Sequence, residues 1–341
     1  MAARLTLSHD PMRPMIPRTG YDRFLADAGW CGALVQPLAG DASFRRYFRV
    51  HDRGRRAVLM DAPPELEDVR PFVQVADFLV SAGLSAPRLL AGDIDRGFLL
   101  IEDFGDRLVG PVLATEPVRE EVVYGLAVNL LSALQRLAPH GLQAYDHAAL
   151  SREVMVFADW YARAAGIDVD AASFLSAWDA VWGGVLEETA QRPVVTLRDY
   201  HADNLMLLPD RPGLQALGLL DFQDALAGHP AYDLVSLLQD ARRDVSPRLE
   251  RAMMAQFVDS SDGLDAQGFR AAYEILGAQR NVKILGVFVR LRNRDGRQGY
   301  VERLPRVWGY LERNFAHPAL APVKAWFDSH VPAELRSAWC R

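Results

Sequence analysis

Val195-Thr-Leu-Arg-Asp199-Tyr-His-Ala-Asp-Asn204-Leu-Met-Leu-Leu208, followed by Gly218-Leu-Leu-Asp221-Phe-Gln-Asp224, is the stretch whose reading decides the fold. Apolar residues bracket a polar hexad, and a second apolar run ends on an acidic cluster. Pro209, Pro212 and Gly213 lie between the runs, so the pattern predicts a tight loop feeding a short hairpin. That topology sets Asp199, Asn204 and Asp221 at strand ends, where their oxygens can converge. A surface turn capped by Asp and Asn would account for the Asp-x-x-x-x-Asn spacing alone. It does not account for the Arg before Asp199, the apolar frame, or Asp-Phe-x-Asp at the far side of the turn.

Three such oxygen-bearing groups are what phosphoryl transfer asks of side chains. A carboxylate takes the acceptor hydroxyl's proton, and an Asn and an Asp hold Mg²⁺ against the phosphates of ATP. The spacing of Asp199 and Asn204 is that of a kinase catalytic loop, and Asp221-Phe222 stands where a metal-binding Asp-Phe-Gly would be.

Composition narrows the class. A chain of 341 residues can bury a large core without disulfide or metal staples. Its net charge of −6 argues against a general nucleic-acid binder, and no apolar run is long enough to span a membrane. Lys283 and Lys324 are the only lysines, so the basic side chains are almost all Arg. Cys31 and Cys340 form no metal or redox motif and read as free thiols of a reducing, cytoplasmic compartment. The first 17 residues, with Pro11, Pro14 and Pro17 and no apolar signal core, read as a loose leader. No feature calls for an obligatory protein partner.

Taken in order, residues 18–30 are amphipathic and helical. A small-residue turn at 40–43 leads into strand-like alternation to Val50, and a further strand is expected over 57–60. Such a turn between strands can cover nucleotide phosphates with backbone N–H groups. It nominates Ser43 and Phe44 for nucleotide binding. A helix over 65–82 and strands at 87–90 and 97–101 follow, and Glu102-Asp103 leaves the sheet where a kinase hinge would meet adenine. From about residue 115 the periodicity is helical, with helices expected at 117–138, 151–165, 171–190, 229–243, 248–259, 266–294 and 300–314. The expected architecture is therefore α+β and two-lobed. A small β-rich N-terminal lobe of residues 1–103 precedes a larger α-helical, substrate-binding lobe of residues 104–341.

With those pieces in place, the chain resembles the aminoglycoside phosphotransferase family, the small-molecule branch of the kinase-like fold, over nearly its whole length. Asp41-Ala-Ser-Phe-Arg-Arg-Tyr-Phe-Arg49, Val58-Leu-Met-Asp-Ala-Pro-Pro64, Arg96-Gly-Phe-Leu-Leu100, Arg198-Asp-Tyr200 and Leu220-Asp-Phe-Gln-Asp-Ala225 are similar to the bacterial anomeric kinases of N-acetylmuramate and N-acetylglucosamine. That resemblance implies ATP as co-substrate, phosphorylation of the sugar C1 hydroxyl in cell-wall recycling, Asp199 as general base, and Asn204 and Asp221 as Mg²⁺ ligands. Two positions depart from the broad family. Leu197 replaces the His that usually opens the loop, and Met60 stands where a strand lysine grips the phosphates. Residues 69–82 of the helix after it contain Asp77 but no Glu to pair with such a lysine. Arg46 is the cation expected to take over, ahead of Arg45 and Arg49. Other readings stay open: a kinase of another small alcohol, or a nucleotide-binding scaffold without turnover.

Charge adds a hint about the acceptor. Residues 280–306 carry eight cations against Asp295 and Glu302, and helical spacing sets Lys283, Arg290 and Arg294 on one face with Arg280 slightly off it. Such a stripe would repel polycations and attract a lactyl carboxylate. Arg290 and Arg294 are expected to contact the acceptor, with Glu153, Trp160, Tyr161, Arg198 and Asp224 completing its surroundings. Asp233 is expected to serve as scaffold.

Overall fold

The structure is a computed structural model and describes residues 16–38, 44–261 and 263–337. Two compact units emerge from its contacts: Met1–Val73 with Pro87–Asp103, and Gln74–Ala86 with Phe104–Arg341.

The first unit is built on a five-stranded antiparallel sheet in the order β1-β2-β3-β5-β4. Its strands are β1 (Leu34–Pro37), β2 (Arg46–Asp52), β3 (Arg55–Asp61), β4 (Leu89–Asp93) and β5 (Phe98–Glu102). Alternation divides the faces. Phe48, Val50, Ala57, Leu59, Phe98 and Leu100 bury one face together with Phe24, Leu25 and Trp30, two of which lie in helix α1 (Tyr21–Asp27). The register pairs Tyr47 with Met60 and Met60 with Leu99, which puts those three on the other face. Helix α2 (Arg70–Ser81) follows β3.

The second unit is mostly helical. Helices α3 (Val109–Thr115), α4 (Glu120–Leu134) and α5 (His147–Val156) come first. A π-helical segment, Phe157–Ala162, then runs into α6 (Arg163–Ala165), and α7 (Ala171–Gln191) follows. Strand β6 (Val194–Thr196) pairs with β9 (Leu226–Gly228), and β7 (Leu205–Leu207) with β8 (Leu217–Leu219), the hairpin expected around Pro209, Pro212 and Gly213. Helices α8 (Ala231–Leu238), α9 (Pro247–Asp259), α10 (Ala266–Asp295), α11 (Leu304–Phe315), α12 (Ala321–His330) and α13 (Ala333–Ser337) complete it. The sequence sets these boundaries by capping. Asp146 accepts from Ala149 N at the start of α5, Ser246 from Leu249 N at α9, and Asp265 from Gly268 N at α10. Gly296, left-handed at φ 70°, ends α10.

Helix α10 is the spine of this unit, buried along most of its length from Phe269 to Leu291. It lies against α5 and the π segment so tightly that a Cβ at Gly286 would run into the Val156 carbonyl. Glycine is needed there for close approach, not for backbone freedom. No helix among the described residues is long and apolar enough to cross a membrane.

Candidate active site

The loop between β6 and β7 is held from beneath. Asp233, near the start of α8, accepts from Leu197 N at 2.6 Å and Arg198 N at 2.8 Å. Burial pushes its carboxyl up to about 7, although both N–H donors favour the charge. Tyr200 anchors the other side, its buried hydroxyl donating to Ala127 O at 2.9 Å. Arg198 takes up the left-handed backbone region at φ 71°, rare for a side chain of that size. The bend lifts Asp199 out of the core: its side chain is 41% exposed in a neighbourhood where Arg280 is 4% exposed.

Asn204 bridges the loop and the hairpin, through the main-chain carbonyl of Asp199 and the carboxylate of Asp221. Asn204 Nδ2 lies 2.9 Å from Asp199 O and 3.4 Å from Asp221 Oδ2. Asp221 is also left-handed, at φ 56°, and its other oxygen accepts from Gln223 Nε2 at 2.9 Å. Partial loss of water around Asp199 works against its ionisation, but the charges of Arg280 and Lys283 outweigh it and hold the carboxyl below its ordinary range. His201, buried and pushed well down, is a neutral imidazole at physiological pH.

Glu153 is a buried hub. It accepts from Tyr145 Oη, Arg198 Nη2, Gln279 Nε2 at 2.9 Å and Lys283 Nζ at 2.7 Å. Burial alone would raise its pKa; Lys283 and Arg198 bring it down to about 2. Four donors use the roughly four lone-pair sites of a carboxylate. Glu153 therefore has no acceptor capacity left for a sugar hydroxyl, which corrects its expected contact with substrate. It holds Arg198 and Lys283 instead.

The basic stripe separates along α10. Arg280 Nη2 is 2.8 Å from Ser236 Oγ and 3.5 Å from Asp199 Oδ1, and Lys283 reaches Glu153. Arg290 and Arg294 lie about 10 and 16 Å beyond Lys283 at 1.5 Å per residue, and Arg294 pairs with Asp295. They are remote from Asp199, a correction to the single stripe inferred from helical spacing.

The aromatic pair also divides. Tyr161 is fully buried among Phe157 and Trp308, and its hydroxyl donates to Leu335 O, so it is a core residue and not a sugar platform. Trp160 lines a cavity of about 390 Å³ with Asp159, Arg163, Ala164 and Asn293; none of the loop residues borders it. Asp224 is exposed, and its carbonyl accepts from Arg198 Nη1 at 3.4 Å.

In the first unit, Met60 is buried on the sheet face away from the α1 core. Arg46 opposes Asp61 and shares the face of Phe48 and Phe98. It bonds Asp61 Oδ2 at 2.5 Å, while Arg18 bonds Oδ1 at 2.5 Å. Arg46 is thus placed opposite to the expectation that it stands in for a lysine at position 60. Arg49 alternates onto the Met60 face, where it pairs with Asp103 at 2.9 Å. Phe44 is exposed, its N–H 3.4 Å from Glu67 Oε1, and Glu102 pairs with Arg88. Ser43 lies outside the described residues.

The sequence reading did not consider Gln279, and it placed Arg280 and Lys283 only in a basic stripe that would attract a carboxylate, not beside Asp199 and Glu153. A signal was present: Gln279-Arg280-Asn281 interrupts Ala278 and Val282 on a helix buried on every side, where polar groups must find partners.

Comparison with known proteins follows the same outline. The profile of the phosphotransferase enzyme family matches residues 34–269. A protein of Caulobacter vibrioides named N-acetylmuramate/N-acetylglucosamine kinase is 39% identical, covering 92% of this chain and 96% of its own. One of the same name from Pseudomonas aeruginosa is also 39% identical, covering 85% and 87%. Among solved structures, a choline/ethanolamine kinase family protein from Mesorhizobium loti aligns with a TM-score of 0.59 at 15% identity, covering 87% of this chain and 94% of that one, a likeness of fold.

Proposed function

The chain belongs to the phosphotransferase enzyme family, and from that premise we propose that it is a cytoplasmic, ATP-dependent amino-sugar kinase. It transfers the γ-phosphoryl group to the C1 hydroxyl of N-acetylmuramate and N-acetylglucosamine. The observation that carries this reading is the link that Asn204 makes between the main chain of Asp199 and the carboxylate of Asp221, in a chain 39% identical to kinases named for both sugars.

The chemistry follows from the groups present. Asp199 is ionised at neutral pH and accepts the C1 hydroxyl proton as that oxygen bonds to phosphorus. The bond from phosphorus to the bridging oxygen breaks, and ADP leaves with the electron pair. The Asn204 amide and the Asp221 carboxylate lie side by side, a donor set that fits Mg²⁺: that ion takes one or two protein ligands and completes its shell from phosphates and water. Bound there, it would offset the charge of the phosphates. Asp233 and the Glu153–Arg198 pair hold the loop that presents Asp199.

The test is ADP release with a panel of N-acetylmuramate, N-acetylglucosamine, choline and an aminoglycoside. Turnover of the two amino sugars, abolished when C1 is blocked as a methyl glycoside, is the expected result. Phosphorylation of the methyl glycoside would put the chemistry at another hydroxyl. Faster turnover of choline or the aminoglycoside, or none with any acceptor, would overturn the assignment.

A further inference from the structure

We propose that Lys283 and Arg198 form an anion subsite for the carboxylate of a sugar-acid acceptor, with Glu153 as the internal counter-ion that holds the two cations in place. The proposal rests on the amino-sugar kinase reading and names the groups that would tell one acceptor from the other.

Position comes first. Arg198 precedes Asp199, and Lys283 lies one turn along α10 from Arg280, whose guanidinium reaches Asp199. Accessibility comes second. Lys283 and Arg198 are 20% and 21% exposed, against 4% for Arg280, so two of the three cations around the loop can be reached.

Donor capacity comes third. An ammonium has three N–H groups, and Lys283 directs one at Glu153. Arg198 gives Nη2 to Glu153 and only a long Nη1 contact of 3.4 Å to the Asp224 carbonyl, which leaves Nη1 weakly engaged; its Nε is buried and finds no partner among the described residues. The hydroxyl of Tyr232, buried edge-on against Tyr145, is likewise without one.

The neighbouring acids do not cancel this capacity. Glu153 is saturated by four donors, and both oxygens of Asp233 are bonded to the loop N–H groups. Asp199 is the base itself. The two sugars differ by one lactyl ether at C3, so a carboxylate reader should act on one and be idle with the other.

The experiment compares kcat/KM for N-acetylmuramate, its lactyl amide and N-acetylglucosamine on the full chain and on Lys283→Met, Lys283→Arg and Arg294→Ala. In the unmodified protein the amide should lose about ten- to a hundredfold relative to the acid, the size of one charge-assisted contact. Lys283→Met should lower the muramate-to-glucosamine ratio by a similar factor and erase the acid–amide difference. Lys283→Arg should restore most of the ratio, and Arg294→Ala should leave it unchanged. An amide as good as the acid overturns the subsite even if Lys283→Met does not fold. So does an equal loss on both sugars, or a loss confined to the KM for ATP, which would make the cations a phosphate contact. Absence of turnover with either sugar overturns the functional reading and the subsite with it, whereas turnover of both at unchanged ratios removes the subsite alone.

Discussion

Asp61 in the first unit and Glu153 in the second are buried carboxylates, each clasped by two cations: Arg18 and Arg46 in one case, Arg198 and Lys283 in the other. The cations are similarly covered, at 27% and 33% exposure for the first pair and 21% and 20% for the second. The difference is in their other contacts. Arg18 donates to Ala62 O and Arg96 O, and Arg46 to Ile16 O, so that cluster ties main chain to main chain where the central strands of the sheet end. Arg198 adjoins Asp199, and Lys283 helps hold the Asp199 carboxyl ionised. Burial of an ion cluster says little about its work; what its outer atoms touch says much more.

The widest separation should come from Asp199, which only the second cluster serves. Asp199→Asn is expected to lower kcat by about a hundred- to ten-thousandfold with little change in nucleotide KM. Retention of more than about a tenth of the rate would remove Asp199 as base and with it the functional side of the contrast.

Next come the two carboxylates themselves. Asp61→Ala should cost about 3 kcal/mol of folding stability by leaving paired guanidiniums without their counter-charge, while the surviving folded protein keeps its kcat. Glu153→Gln should lower both. The Glu153 carboxyl, held at about 2, lies below its unfolded value. Its stabilisation is therefore fully present above the ordinary carboxylate range, where it is worth about 3 kcal/mol. It fades as pH falls towards 2. Urea unfolding from pH 6 to pH 2 should show the wild type and Glu153→Gln converging as the pH falls; parallel curves would mean that Glu153 is not held ionised by its partners.

A smaller effect separates the arginines of β2. Arg49→Ala should raise the KM for ATP by about tenfold, the low end for a charge-assisted contact, whereas Arg46→Ala should leave it within about twofold. The reverse outcome would mean that Arg46 reaches the nucleotide despite its pairing with Asp61.

Much of this fold is written in local pattern. The Pro and Gly residues between Leu208 and Gly218 specify the hairpin, and the long helices end at Ser, Asp and Gly caps that can be read directly. The meeting of Asn204 with the Asp199 main chain and Asp221 was legible because their spacing is short and the apolar frame fixes the turn. The rest depends on partners distant in the chain. Glu153 and Lys283 are 130 positions apart, and nothing local says that they meet. Strand alternation could say that Arg46 and Arg49 face opposite ways, but not which face covers α1. Helical spacing put Lys283 and Arg294 on one stripe while hiding the distance along the axis that separates them. Adjacent Trp160 and Tyr161 looked like one aromatic platform until packing sent Tyr161 into the core.

The left-handed residue after β8 sets a conflict for anyone selecting a hardier protein. Asp221 occupies backbone that glycine adopts freely, and stores about 1 kcal/mol by doing so. Glycine there would release that strain, partly offset by the extra freedom it gives the unfolded chain. A screen that scores only heat resistance would therefore be drawn to a position proposed to hold the metal ion. The same bias would act on a lineage no longer under demand for turnover, so glycine at 221 in a descendant would mark a chain drifting from enzyme to silent scaffold.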